Sequence, residues 1–175
     1  MSTPTPAPDA LLVFAVLSST WETVWPHVGR QLAETFGPVH DFGERLLFTH
    51  TDYYNAELGT PLYRRLLYAE TLYPQDRLAE AKLQTNAIED SWRDTQGRRR
   101  INLDPGLLSL ERLVLATGKG FTHRIYLQEG IWADLTLIYQ KGAWRSFSWT
   151  FADYAEPTLQ AWLTRLREYY KQRRK

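Results

Sequence analysis

Residues 98–139, RRRINLDPGLLSLERLVLATGKGFTHRIYLQEGIWADLTLIY, constrain this chain more than any other stretch. They set ionisable residues among Leu, Ile and Val where a purely structural strand would keep one clean apolar face. Charge taken out of water is costly unless it is paired or used, so a polar site is expected here. The turn signals Gln128-Glu129-Gly130 and Lys141-Gly142 divide the later part into short hairpin strands, about 122–128, 131–139 and 143–149.

The rest of the chain supplies the core. Residues 11–17 are uninterruptedly apolar and read as a buried strand. Ser19 and Glu22 form a Ser-x-x-Glu capping box that opens a helix with Trp21, Val24, Val28, Leu32 and Phe36 inward; Gly37-Pro38 stops it. Extended segments follow at about 39–49 and 62–73, around the polar loop TDYYNAELGTP. A second helix, about 76–94, has the apolar stripe Leu78, Ala81, Ile88 and Trp92, with Lys82, Asn86, Glu89 and Arg93 beside it. Residues 99–103 read as a strand and 107–117 as a short helix begun by Asp104-Pro105-Gly106. Pro157 opens a last helix with Leu159, Trp162, Leu163, Leu166 and Tyr170 inward. This order predicts an α+β domain over residues 10–175, mainly antiparallel, with helices largely on one face. Its opening resembles the split β-α-β plan of ferredoxin-like folds. The Pro-rich residues 1–9 read as a disordered tail.

Composition excludes several functions. The absence of cysteine removes disulfides, thiolate chemistry and Cys-ligated metals. Lys and Arg total 21 against 20 Asp and Glu, which does not suit a coat for nucleic acid. The basic clusters at 93–100 and 156–175 read as solvated surface. The first apolar run is too short to span a bilayer and has no basic region before it, so a soluble, cytoplasmic protein without membrane partners is expected. No cofactor or oligomeric state follows from the sequence.

Period-two geometry places Arg100, Asn102 and Asp104 on one strand face. A helix starting at Asp104 would add free amides to that guanidinium, giving an anion site. Arg124 can grip a carboxylate or phosphate bidentately. His123, its neighbour, faces the other way unless the strand bends or lies at an edge. Tyr53 and other aromatics flank the polar segments. His50, Asp52, Asp104, His123 and Asp134 carry metal-binding atoms but no ligand spacing, so no metal is assigned. Residues 116–120, ATGKG, lack the first Gly and the hydroxyl residue of a phosphate loop; no GxGxxG occurs.

The segments FTHTDYYNAELG, KLQTNAIE, RRINLDPGLLSLERLVLAT, HRIYLQEGIWADLTLIY and WTFADY together resemble a bacterial and archaeal domain-of-unknown-function family, number forty-four sixteen. Its members are sometimes labelled GTP-binding proteins. No phosphate loop or Asn-Lys-x-Asp motif supports that label here. The chain departs from the family pattern at Asn55, Leu58, Asp134 and Ala152. The resemblance implies that the polar motifs form one set, gathering Asp52, Lys82, Asn86, Glu89, Arg100, Asn102, Asp104, His123 and Arg124 in one cleft.

The expected function is a pocket for a small anionic, phosphorylated or nucleotide-like molecule. Arg100, Arg124 and Lys82 would bind the anion, with Asp52, Tyr53, Asn86 and Asn102 completing the pocket. Asp104, Glu89 and His123 are the candidates for proton transfer if a reaction occurs. Two other readings remain open. One is an RNA- or protein-binding module on Arg98, Arg99 and the basic C-terminus; the other is a scaffold whose charges form internal ion pairs.

Overall fold

The computed structural model describes residues 3–174. All eight residues of β1 (Leu11–Ser18) are buried, so this strand is covered on both faces and flanked on both edges. Its neighbours are β4 (Tyr63–Ala69) and β5 (Asn102–Leu108), each antiparallel to it. Leu12, Phe14 and Val16 point into a core shared with α1 (Trp21–Phe36) and α3 (Leu78–Ser91). Leu11, Val13 and Ala15 point the other way, against α4 (Pro157–Arg173). Burying each large apolar side chain contributes about 1.5–3 kcal/mol, which makes β1 the main anchor of both layers.

The sheet runs β2-β4-β1-β5-β6-β8-β7, where β2 is Val39–Asp41, β6 Arg112–Thr117, β7 Ile125–Gln128 and β8 Ile131–Gln140. The short β3 (Leu46–Leu47) pairs with β4, and β9 (Ala143–Ser146) with β8. All pairings are antiparallel. The order β2-β4-β1-β5, with α1 and α3 as crossovers on one face, is the split β-α-β plan. Two of the three long helices therefore share a face, and α4 covers the other. Both hairpin turns are as the sequence implies: Glu129 and Gly130, like Lys141 and Gly142, have positive φ, the conformation of a type I′ turn. Among the described residues no helix is long and apolar enough to cross a membrane.

Four local expectations are corrected. No helix covers 107–117: β5 continues through Asp104-Pro105-Gly106 to Leu108, turns, and returns as β6. Asp104 therefore caps nothing, and the anion site expected at that helix start does not form. The capping box is absent too, because the Ser19 hydroxyl donates to the Leu58 carbonyl and α1 begins with no side-chain cap. β5 starts at Asn102, so Arg99 and Arg100 precede the strand and escape its alternation. The strand expected from 122 starts at Ile125; Phe121 to Arg124 form a turn closed by the Arg124 N–H on the Phe121 carbonyl.

One irregularity positions the site. β5 pairs with β6 only over residues 106–108, while its first half has β1 alone as a strand neighbour. Pro105 lies in that half and has no N–H to donate. Where the strands meet, a Cβ on Gly106 would lie 2.6 Å from Leu115 Cδ2 and 3.0 Å from the Val114 carbonyl oxygen. Glycine sets how close β5 and β6 come.

Candidate functional site

Side chains from α3 take the place of a missing strand beside β5. Glu89 Oε1 accepts the Leu103 N–H at 2.6 Å, and Lys82 Nζ donates to the Leu103 carbonyl at 2.9 Å. The two are themselves 3.8 Å apart and almost fully buried. Arg99 extends this network: one nitrogen reaches Glu89 Oε2 at 2.7 Å and Asn102 Oδ1 at 3.1 Å. Its other two hold Glu57 on α2 (Asn55–Leu58) bidentately. Burial pushes the Glu89 carboxyl above its ordinary value, against the pull of Lys82, Leu103 N–H and Arg99.

Asp104 is the outward member. Its Oδ1 accepts from Lys82 at 3.0 Å and its Oδ2 from Asn102 Nδ2 at 2.7 Å, yet the side chain keeps 28% of its exposure. Desolvation alone would raise its carboxyl. The Lys82 ammonium and Arg64 guanidinium, with the hydrogen bonds from Lys82 and Asn102, outweigh that and hold it below its ordinary value.

Arg64 stands across β1 from these residues. Register aligns Arg64 with Leu17 and Leu17 with Asn102, so Arg64 and Asn102 share a face about 10 Å apart. Asp104 is the next residue along that face. Arg64 is buried with Asp153, its Nε and Nη2 both on Asp153 Oδ2 at 2.9 and 2.8 Å. Its guanidinium lies between the rings of Phe48 (5.4 Å) and Tyr154 (5.6 Å). Arg64 Nη1 and the Tyr154 hydroxyl are buried with no hydrogen-bond partner among the described residues. Burial pushes the Tyr154 phenol well above its ordinary value, which keeps it a donor. Tyr54 packs against the cluster of Leu17, Phe48, Leu58 and Leu62, and burial, then the Asp104 charge, raise its phenol as well.

A second network lies on the same face. Leu115 pairs with both Gly106 and Asp134, which puts the Asp134 side chain on the side of Asp104. His123 Nε2 and Arg124 Nε both lie on Asp134 Oδ2, at 3.1 and 2.9 Å. A carboxylate only accepts, so both nitrogens donate. His123 stacks on Trp149 at 4.9 Å, and Trp149 on Phe147 at 4.7 Å. Two loops touch both networks. Tyr54 is within electrostatic reach of Asp104 while Tyr53 accepts from Lys119 Nζ; Tyr154 neighbours Arg64 while Phe151 lies 6.0 Å from the Arg124 guanidinium.

Lys82, Glu89, Asn102 and Asp104 are therefore together, and His123 and Arg124 are together around Asp134. Asn86 is half-buried on α3 between Lys82 and Glu89. Asp52 is exposed and accepts from Asn55 Nδ2, a local turn contact. Tyr53 is exposed beside Lys119. Arg100 is exposed and lines a depression of about 270 Å³ with Thr20, Asn55 and Arg98, whose wall also includes the network residues Glu57 and Arg99. Among the described residues no three His, Asp or Glu side chains are grouped closely enough to hold a metal ion. Sequence reasoning missed Arg64, Asp153 and Tyr154. Their signal was the Arg64-Arg65 pair inside an apolar segment, which demands buried partners on both faces of the strand. Arg99 was read as surface charge or as an RNA or protein contact, not as a member of this network.

The fold is an α+β domain with one polar network on the open edge of β5, an Arg64–Asp153 pair across β1 and a further network around Asp134. The chain belongs to the family described as Domain of unknown function (DUF4416), whose family model matches residues 8–170. No curated protein matches the chain. No solved structure matches it either.

Proposed function

We propose that this chain binds a small anionic molecule where Arg64, Asn102 and Asp104 share a face of the sheet, under the rings of Tyr54 and Tyr154. One observation carries the reading: Arg64 Nη1 and the Tyr154 hydroxyl are buried donors without partners among the described residues, beside an acidic group that is still partly exposed. Buried donors left unsatisfied cost about 1–3 kcal/mol each, a cost that a ligand oxygen accepting from both would offset. Arg124 and Lys119 extend the positive rim, and Tyr53, Trp149 and Phe151 supply exposed rings against which an organic body can pack. Asp104, held ionised, serves as an acceptor. Lys82 and Glu89 support it from below.

The internal ion-pair reading draws on Glu57, Glu89, Lys82 and Arg99, whose charges satisfy one another. The RNA reading draws on Arg98 and Arg99, but Arg98 faces Asp94, and Arg99 is held by Glu57 and Glu89.

The test is a thermal-shift panel of carboxylated and phosphorylated metabolites on the wild type and Tyr154→Phe. A ligand at a hundred times its Kd stabilises the fold by about 2.7 kcal/mol. At least one compound should raise the wild-type midpoint, with a reduced shift in the variant. A panel in which nothing stabilises the wild type overturns the reading.

A further inference from the structure

We infer that the site formed by Arg64, Tyr154 and Asp104 takes a phosphoryl group that carries a proton and rejects sulfate. The inference rests on the anion-binding reading above and specifies its chemistry. Arg64 Nη1 and the Tyr154 hydroxyl are donors awaiting acceptor oxygens. Asp104 is the opposite: each of its oxygens already accepts one hydrogen bond, from Lys82 and from Asn102, and each retains a second lone-pair site. An ionised carboxylate can meet another oxygen only through a hydrogen atom between them. A ligand bridging these groups must therefore present acceptors on one side and an O–H on the other.

Inorganic phosphate near neutral pH always has at least one P–O–H. A phosphate monoester keeps one only below its second pKa of about 6. Sulfate has none, so its oxygen would face the Asp104 carboxylate unbridged. Charge balance favours the same choice. Arg64 is countered by Asp153 and Lys82 by Asp104 and Glu89, two cations against three carboxylates, so a monoanion is accommodated at less electrostatic cost than a dianion. Tyr54, the titratable side chain packed against the Leu17 cluster, is a phenol with raised pKa and adds a donor, not a charge.

Calorimetric titration in chloride buffer tests this with inorganic phosphate, sulfate and methyl phosphate, the last at pH 5.5 and 7.5. The wild type should bind phosphate at least tenfold more tightly than sulfate, and methyl phosphate more tightly at pH 5.5 than at 7.5. A monoester that binds while inorganic phosphate is weaker identifies an esterified ligand; the reverse order identifies the free ion. Asp104→Asn gives the ligand an amide donor and should collapse the preference for phosphate over sulfate. Tyr154→Phe removes a hydroxyl with no partner among the described residues and should weaken phosphate roughly tenfold or more. Equal binding of phosphate and sulfate by the wild type, or unchanged phosphate binding in Tyr154→Phe, overturns the inference. If Asp104→Asn fails to fold, those two comparisons decide alone. An organic carboxylate that binds the wild type where phosphate does not, and binds Tyr154→Phe more weakly, also overturns it and leaves the anion-binding reading standing; a failure of every anion, or binding that Tyr154→Phe leaves unchanged, removes both.

Discussion

Lys82 and Glu89, seven residues apart on α3, satisfy both main-chain groups of Leu103 on the edge of β5 that no strand covers. Removing either leaves one main-chain group of Leu103 buried without its partner and takes one ion pair from the other residue; Lys82 then keeps Asp104, and Glu89 keeps Arg99. Lys82→Met and Glu89→Leu should each destabilise the protein by about 3–5 kcal/mol, read from urea unfolding midpoints. The double variant should cost less than the sum, because the Lys82–Glu89 contact is counted in both single losses.

Gly106 fixes the approach of β5 to β6. Gly106→Ala forces a methyl against Leu115 and the Val114 carbonyl and should cost about 1–3 kcal/mol. Equilibrium denaturation checks it; a neutral effect would mean that β6 moves aside freely.

Asp134 holds the 121–124 turn through two donors on one oxygen. Asp134→Ala leaves the half-buried Arg124 without its carboxylate partner, and amide exchange across residues 119–128 should speed up more than across β1. Uniform exchange protection in the variant would contradict this.

Acid sensitivity follows from the carboxylates. The Glu57 carboxyl is held below its ordinary value, first by hydrogen bonding to Arg99, and Asp104 is held low by Lys82 and Arg64 against its own desolvation. Groups with depressed native values contribute stability above the unfolded value of about pH 4, and that stability is lost as pH falls through the native values. Glu89, raised by burial, has the opposite sign and loses stability as pH rises through its native value. Glu57→Gln should therefore flatten the acid limb of a stability-versus-pH curve. An acid limb as steep as that of the wild type would contradict the assignment.

The parts of the fold that depend on regular periodicity could be read from the sequence. The expected inward stripes of α1 and α4 are the buried residues, because 3.6-residue spacing leaves little choice when one face meets a core. Residues 107–117 misled because short apolar runs fit helix and strand equally, and Asp-Pro-Gly resembles a helix start. Here the proline sits where β5 has no second partner strand, so its missing N–H breaks no ladder bond to β6. The face shared by Asn102 and Asp104 was legible by alternation. Arg64 was not, since its partners Asp153 and Tyr154 lie about ninety residues away, in the short 3-10 helix Ala152–Ala155 before α4, and only the tertiary fold brings them together. His123 and Arg124 reach one carboxylate because a turn replaces the strand that would have separated them.

Tyr154 decides the central claim. Its hydroxyl contributes no hydrogen bond to the described fold, so Tyr154→Phe should unfold at the same or a higher urea concentration than the wild type. Calorimetry with the strongest ligand from the panel should show the same variant binding roughly tenfold or more weakly. Identical affinities for the two proteins would contradict an anion site at Arg64 and Tyr154.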